Sequence, residues 1–141
     1  MALTSCVVPA AGTPTFDLGA DEMEIGIGIH GEPGRRRVPL APVDEIAEML
    51  VEPVVADLGL KSGDAVLAFV NGMGGSPLIE LYVAYHSVSR ILQGKGVEVR
   101  RSQAKQGDRE AGHLQAGDVV ADQLTELWDA PVHTAALRWG V

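Results

Sequence analysis

A strand–helix–strand pattern in the middle of the chain is the feature that most constrains its fold. An uninterrupted apolar run at residues 65–70 follows a turn at 62–64 and predicts a strand that is buried on both faces. A glycine-rich loop, 71–76, then leads into an amphipathic helix, and the short strand "VEVRR" follows the glycine stop at 94–96. Strands that a helix connects usually pair in parallel through a right-handed crossover. The predicted fold class is therefore α/β, a mixed sheet flanked by helices.

Two further segments extend the α/β pattern. Apolar residues at helical spacing in "APVDEIAEMLVEPVVADLGL" predict a helix that starts near Asp44, bends at Pro53 and ends before Gly59. Towards the C-terminus we expect a short helix through Trp128, a turn and a final extended segment. Since a chain of 141 residues is long enough for one core and short for two, residues 1–141 are predicted to form a single domain.

Residues 102–118 depart from this pattern. They contain no aromatic residue, one large apolar residue and no sustained hydrophobic period, and such a composition is typical of a loop or a disordered segment. A loop here would leave one edge of the sheet uncovered. An exposed sheet edge invites self-association, so a homodimer is one expected assembly.

The helix after the glycine-rich loop has a well-defined predicted start and face. Ser76 is a favourable N-cap residue, and Pro77 suits the first helical position, where its missing N–H is no loss. The stripe predicted to be apolar comprises Leu78, Leu81, Tyr82, Tyr85, Val88 and Leu92.

Charge and cysteine content narrow the class of function. Nineteen acidic against 11 basic residues give a net charge of −8, which argues against binding to the phosphate backbone of nucleic acid. The one basic run, Arg35 to Arg37, fits either a solvated loop or an anion site. A single cysteine, Cys6, fits a reducing compartment, and no apolar run approaches the ~20 residues of a membrane span. A cytoplasmic location without a membrane partner is therefore expected.

The stretch "EIGIGIHGEPG" is the leading candidate for a functional site. A strand over residues 23–30 would alternate its side chains and place two glycines and a histidine on one face, Gly26, Gly28 and His30. Glycine inside a strand gives up packing, so two glycines beside a histidine indicate that a ligand or another backbone comes close. The turn that begins at Gly31 would place the imidazole at the mouth of the strand. His30 by itself also fits a structural histidine, and both interpretations remain open.

The other candidate sites carry weaker signals. The loop at 71–76 fits a ligand cradle at a helix N-terminus or a tight strand-to-helix connection, and it lacks the lysine of a nucleotide P-loop. His86, His113 and His133 lack the spacing and neighbours of a metal site, so no metal site is predicted in this chain. A G-x-S-x-G serine-hydrolase motif is absent from the sequence.

Four motifs in a consistent order resemble one known family. "CVVPAAGTPTF", "DEMEIGIGIHGEPG", "VNGMGGSPLIELY" and "LWDAPVHTAALRWG" are similar to the C-terminal domain of the dihydroxyacetone (glycerone) kinase substrate-binding subunit. The resemblance covers residues 1–101 and 119–141. Because 102–118 do not match the family, it implies a sheet that is incomplete relative to the family. It implies that His30 is the histidine whose ring nitrogen bonds covalently to the carbonyl carbon of dihydroxyacetone, as a hemiaminal. The glycines implied to lie beside the substrate are Gly26, Gly28 and Gly31.

The resemblance also implies what this chain leaves to partners. In the family, a preceding domain supplies an acid–base aspartate and a second histidine, and a separate kinase domain or subunit binds ATP or a phosphoryl carrier together with magnesium. The implied partners are therefore dihydroxyacetone, an N-terminal substrate-subunit domain and a nucleotide-binding kinase domain, with ATP and Mg held by the partner and no cofactor by this chain. Three hypotheses follow: a substrate-capturing piece of a dihydroxyacetone kinase that is inactive alone, a non-catalytic binding or regulatory module, and a truncated remnant without activity.

Overall fold

The computed structural model describes residues 1–3, 12–14, 16–28, 33–72, 76–105, 122–134 and 138–139. These residues confirm the α/β class. Their strands pair as three two-stranded sheets, one parallel and two antiparallel. The elements in chain order are β1 (Glu22–Ile25), β2 (Arg36–Pro39), α1 (Val43–Leu58), β3 (Ala65–Asn71), α2 (Leu78–Gly94), β4 (Glu98–Lys105), α3 (Asp122–Asp129), β5 (Val132–His133) and β6 (Arg138–Trp139).

The predicted strand–helix–strand unit forms the centre of the described fold. β3 and β4 pair in parallel, with one irregularity between Val66 and Leu67, and α2 connects them. Alternate residues of β3 are buried, namely Val66, Ala68 and Val70, whereas those between them are only half-buried. The prediction of a strand buried on both faces is therefore wrong for one face, because α1 and α2 pack on the face that carries Val66 and Ala68.

α1 and α2 share an apolar core with the β3–β4 sheet. At one end of the helix pair, the Ser87 hydroxyl donates a 2.5 Å hydrogen bond to Asp44 Oδ1, and Arg90 Nη1 lies 3.5 Å from Oδ2 of the same carboxylate. At the other end, Lys95 Nζ and Glu52 Oε1 form an ion pair at 2.7 Å. These polar contacts flank the buried apolar residues Ala47, Val51, Val66, Ala68, Val88, Leu92 and Val97.

The first helix starts and ends where its sequence signals place it. Asp44 and Glu45 lie in the first turn of α1, where carboxylates interact favourably with the helix dipole. Gly59 adopts a φ of 63° and forms the C-cap, since glycine enters the left-handed region without the steric penalty of a Cβ. Pro53 lies inside the helix, and the bend expected there stays a prediction.

α1 also has a second buried face. Ala47 and Val51 contribute to the core that is shared with α2. Ile46, one residue before Ala47, packs instead with Met23 and Ile25 of β1 in a separate apolar cluster. The helix therefore lies between the β3–β4 sheet and the β1–β2 hairpin.

β1 and β2 form an antiparallel hairpin whose first strand is shorter than predicted. Glu24 lies opposite Arg37 in the register, and the outer edge of β1 pairs with Ala2 through two backbone hydrogen bonds of 2.9 and 3.0 Å. The strand expected over 23–30 ends at Ile25, because Gly26 turns the chain with a φ of 83°.

The start of α2 differs from the prediction by one residue. Pro77 occupies the N-cap position with a ψ of 145°, and no side chain caps the helix. The expectation of Ser76 as N-cap and Pro77 as first helical residue is therefore wrong. The proline conformation explains the difference, since a ψ near 145° keeps Pro77 outside the helical region.

The buried face of α2 also differs from the predicted stripe. Leu81, Val88 and Leu92 are buried as expected, but Leu78 and Tyr82 are 42% and 54% exposed. Two small residues are buried in their place, and small side chains allow a neighbouring helix to approach closely. These two residues are Ala84 and Ser87.

The described residues of the C-terminal third include the predicted helix, followed by two short strands where a single extended segment is predicted. β4 continues to Lys105, so residues 102–105 form strand rather than the loop predicted from 102 onwards, and 106–118 lie outside the described residues. α3 is followed by the short antiparallel pair of β5 and β6. None of the described helices combines the length and the apolar character needed to cross a membrane.

Candidate functional site

The candidate site lies where β1 leads into β2. The connecting loop, residues 26–34, carries the histidine motif, and the structure describes its two ends, 26–28 and 33–34. His30 and Gly31 lie outside the described residues, so their predicted roles stay predictions. What the structure gives is the geometry that anchors the loop.

Gly26 is required by the backbone. Its φ of 83° lies in a region that L side chains rarely adopt, and a Cβ at this position would lie 2.8 Å from Cγ of Arg35. Directly beside it, the Arg35 N–H donates a 2.7 Å hydrogen bond to the Ile25 carbonyl and closes the hairpin. Gly26 therefore serves a tight turn, and it does not share a bare strand face with Gly28 as the alternation predicted.

A buried carboxylate underlies this turn. Glu24 is only 8% exposed, and its Oε2 accepts a 3.1 Å hydrogen bond from Arg37 Nε on the neighbouring strand. Gly34, the last residue of the loop, packs directly against the Glu24 side chain. Sequence reasoning missed both Glu24 and Gly34. The cross-strand register, which pairs position 24 with position 37, is the signal that would have found the ion pair.

The basic run belongs partly to strand β2. Arg37 is committed to the buried carboxylate of Glu24, so the interpretation of the whole run as a solvated loop is wrong for this residue. Arg35 and Arg36 are exposed, and within the described part of the chain neither side chain forms an ion pair. Two exposed arginines therefore stand at the end of the hairpin that carries the histidine loop, directly after the motif, and neither is paired within the described ranges.

The glycine-rich loop fits the interpretation of a tight connection. A Cβ on Gly72 would lie 2.9 Å from Leu81 Cδ1 and 3.2 Å from Ser76 Cβ, so the close approach of helix and loop requires glycine. The Ser76 N–H donates to the Gly72 carbonyl at 3.3 Å. Residues 73–75 lie outside the described residues, and a ligand-binding role for this loop stays a prediction.

Other titratable residues do not assemble into a second site within the described ranges. His86 and His133 are exposed on α2 and β5, and His113 lies outside those ranges. No group of three or more His, Cys, Asp or Glu side chains in the described ranges has the geometry to hold a metal ion. The hairpin is therefore the best-supported location for function.

Comparison with known protein families gives a match that includes the hairpin and its histidine motif. Residues 1–136 match the Dak1 domain. The chain belongs to the Dak1 domain family. The match includes the loop that carries His30 and the hairpin that anchors it.

Two relatives give this Dak1 chain its functional context. The dihydroxyacetone-binding subunit DhaK of the PEP-dependent dihydroxyacetone kinase of Escherichia coli K12 is 34% identical over an alignment of 173 positions, gaps included, which covers 99% of this chain and 47% of the relative. DhaK of the PTS-dependent dihydroxyacetone kinase 1 of Listeria innocua is 45% identical over 102 residues, covering 72% of this chain and 31% of the relative. The chain thus spans less than half the length of either protein.

A solved structure supports the fold of this Dak1 chain. The dihydroxyacetone kinase operon co-activator Dha-DhaQ superposes with a TM-score of 0.77 and 29% sequence identity, over 92% of this chain and 42% of the other. Homologues of this chain therefore include both kinase subunits and a protein described as an operon co-activator.

Proposed function

We propose that this chain captures dihydroxyacetone, or a related short-chain carbonyl triose, as a hemiaminal on His30 and holds it for phosphorylation to dihydroxyacetone phosphate by partner kinase domains. The observation that carries the proposal is the match to a dihydroxyacetone-binding subunit over 99% of the chain. The anchored loop supports it, because the 2.7 Å hydrogen bond from the Arg35 N–H to the Ile25 carbonyl joins the two ends of the loop that carries His30.

The chemistry requires no cofactor on this chain. The unprotonated ring nitrogen of neutral His30 adds to the carbonyl carbon, so that a C–N bond forms and the carbonyl π bond breaks. The oxygen takes up a proton and becomes a hydroxyl group, while the other ring nitrogen gives up its N–H proton, so that charge is conserved. A protonated imidazole has no free electron pair for this step, so capture needs the neutral form.

Covalent capture selects substrates by reactivity as well as by shape. Glycerol carries hydroxyl groups similar to those of dihydroxyacetone but has no carbonyl group, so it cannot form the adduct whatever its fit. Short ketoses and aldoses therefore form the proposed substrate class. Phosphoryl transfer itself depends on in-line positioning and on a metal held with the donor, and we assign ATP or a phosphoryl carrier, with Mg, to the partner.

Labelled substrate provides a direct test. With dihydroxyacetone that carries ¹³C at its carbonyl carbon, adduct formation moves the ¹³C resonance from the carbonyl region to that of a saturated carbon bonded to nitrogen and oxygen. We expect this signal with the unaltered chain and not with His30→Ala, while His133→Ala, an exposed histidine in β5, retains it. Folded protein without an adduct, or an adduct that persists in His30→Ala, contradicts the proposal.

A second candidate function is favoured by the co-activator. Similarity to a protein described as an operon co-activator fits a module that binds a triose without turning it over. The two functions separate when the chain is combined with a nucleotide-binding kinase subunit and an N-terminal substrate-subunit domain taken from a relative. Phosphorylated product supports the kinase role, and adduct formation without product under these conditions supports the regulatory role.

A further inference from the structure

Glu24 is an unusual residue for the middle of a short strand. Both its backbone groups are hydrogen-bonded to Ala2, and its side chain is almost wholly buried. Burial of a carboxylate is unfavourable unless the charge is paired. Among the described residues, Glu24 forms an ion pair with Arg37, whose own side chain is half exposed. The core clusters contain Met23 and Ile25 but not Glu24, so the carboxylate lies on the opposite face of β1.

The second contact of Glu24 is with the end of the histidine loop. A Cβ added at Gly34 would lie within 2.6 Å of Glu24 Cδ and would also overlap its Oε1 and Cγ. The φ of Gly34 lies outside the left-handed region, so its backbone conformation is open to other residues. Glycine is therefore required at 34 by the space that Glu24 occupies, and not by the turn.

We propose that Glu24 is a positioning residue, whose side chain fixes Gly34, the exit of the histidine loop, against β1, the strand from which the loop departs. This inference rests on the proposed role of His30. The free energy of holding a histidine in one place includes the entropy of the loop that carries it. A loop whose two ends are fixed has fewer conformations. The Arg35–Ile25 hydrogen bond joins the two ends of this loop, and the Glu24 contact holds its last residue, Gly34, against β1.

The arrangement favours this role over acid–base catalysis by Glu24. One carboxylate oxygen accepts from Arg37 Nε at 3.1 Å, and the other lies against Gly34. A carboxylate that is paired with Arg37 and packed against the Gly34 backbone is placed to hold the end of the loop. Arg35, whose side-chain carbons pack over Gly26, is another charged residue at the base of the loop.

A double-mutant cycle in the full chain tests the contact. Glu24→Ala and Gly34→Ala are each expected to weaken the ¹³C-dihydroxyacetone adduct about tenfold, and the double variant by no more than either alone, since the two share one contact. Glu24→Gln, which keeps the size of the side chain, should lose less than Glu24→Ala. Glu22→Ala is the matched control on the same strand and should stay within about twofold of the unaltered chain.

The readouts separate positioning from simple loss of fold. Adduct formation is measured at a temperature where thermal unfolding shows each variant to be fully folded, and amide hydrogen exchange is followed at 26–28 and 33–35. We expect clearly faster exchange there in Glu24→Ala and a smaller change in the β3–β4 sheet. If Glu24→Ala does not fold, Gly34→Ala tests the same contact from the other side.

Two outcomes would overturn the inference. The first is unaltered adduct affinity in folded Glu24→Ala. The second is strict additivity of the two substitutions, to about a hundredfold loss, which means that they act independently. By contrast, an adduct that is absent from the unaltered chain, or that survives His30→Ala, contradicts the proposed function itself.

Discussion

The guanidinium group of Arg101 and the carboxylate of Asp129 form a bidentate ion pair, with two hydrogen bonds, between β4 and α3. Nε of Arg101 donates to Oδ1 of Asp129 at 2.7 Å, and Nη2 donates to Oδ2. The side-chain hydrogen bond is the main cause that lowers the pKa of Asp129, and it raises the pKa of Arg101. This pair links the central sheet to the C-terminal helix, which carries the "LWDAP" part of the sequence motif.

The ion pair gives the chain an acid-dependent stability term. Because the pKa of Asp129 is lower in the folded state, its contribution is present above the ordinary aspartate pKa of about 3.9 and is lost as the pH falls through the folded-state pKa. We expect Asp129→Asn to reduce the unfolding free energy at pH 7 and to have a smaller effect well below pH 4. Urea unfolding at several pH values measures this. The exposed Asp17→Asn is the control, and an equal loss at every pH contradicts the assignment.

Two glycines in similar helical positions should respond in opposite ways to substitution. Gly59→Ala forces a Cβ into a φ of 63° and is expected to cost about 1–2 kcal/mol. Gly94→Ala, at the end of α2, meets open space and has no positive φ, so it should stabilise the chain by about 0.5–1 kcal/mol. Denaturant unfolding of both variants checks the pair. A stabilised Gly59→Ala is incompatible with the left-handed C-cap.

The face of α2 that packs on the core can be tested by truncation. Leu81 is 1% exposed, and Leu81→Ala should lower the unfolding free energy by about 2–5 kcal/mol. Ile79 is 68% exposed on the other face, and Ile79→Ala should change it by no more than about 0.5 kcal/mol. Thermal or urea unfolding of the two proteins distinguishes them. Equal losses would mean that the helix buries both faces.

The isolated chain is expected to bind substrate without phosphorylating it. Capture on His30 supplies neither a base for the substrate hydroxyl proton nor a nucleotide site, and both contribute to the barrier of phosphoryl transfer. With dihydroxyacetone, ATP and Mg, a coupled assay for dihydroxyacetone phosphate should therefore stay at background. A complete ATP-dependent dihydroxyacetone kinase serves as positive control. Product well above background with the purified chain contradicts this prediction.

Local signals were enough to predict most of the elements. The apolar run of β3, the helical spacing of α1 and the stop at Gly59 are each decided within a few residues, and they agree with the structure. The end of β1 was predicted wrongly because the alternating isoleucines continue past Gly26, while the backbone turns there with a φ of 83°. The alternation of apolar and other residues does not show where a glycine adopts a positive φ, so it could not predict this turn.

Tertiary contacts decide what the sequence pattern missed. Tyr82 falls in the predicted apolar stripe of α2 but is exposed. The buried face of the helix includes instead the small residues Ala84 and Ser87, against which α1 packs. The burial of Glu24 depends on its register with Arg37 on another strand. Strand alternation and the neighbouring glycines singled out His30 as a candidate, but its role as the substrate-binding histidine came only from the motif resemblance, since histidines at a strand end are common in structural roles.

The two buried faces of α1 make this helix part of two apolar clusters. The hairpin packs on it through Ile46 and the sheet packs on it through Val51, so the loss of either cluster leaves one face of the helix exposed and weakens the support of the other cluster. A small molecule that binds at the hairpin would then stabilise α1 and, through it, the sheet. We would detect this as slower amide exchange in β3. In a protein built this way, the triose would act as a structural ligand for the whole domain and not for its own loop alone.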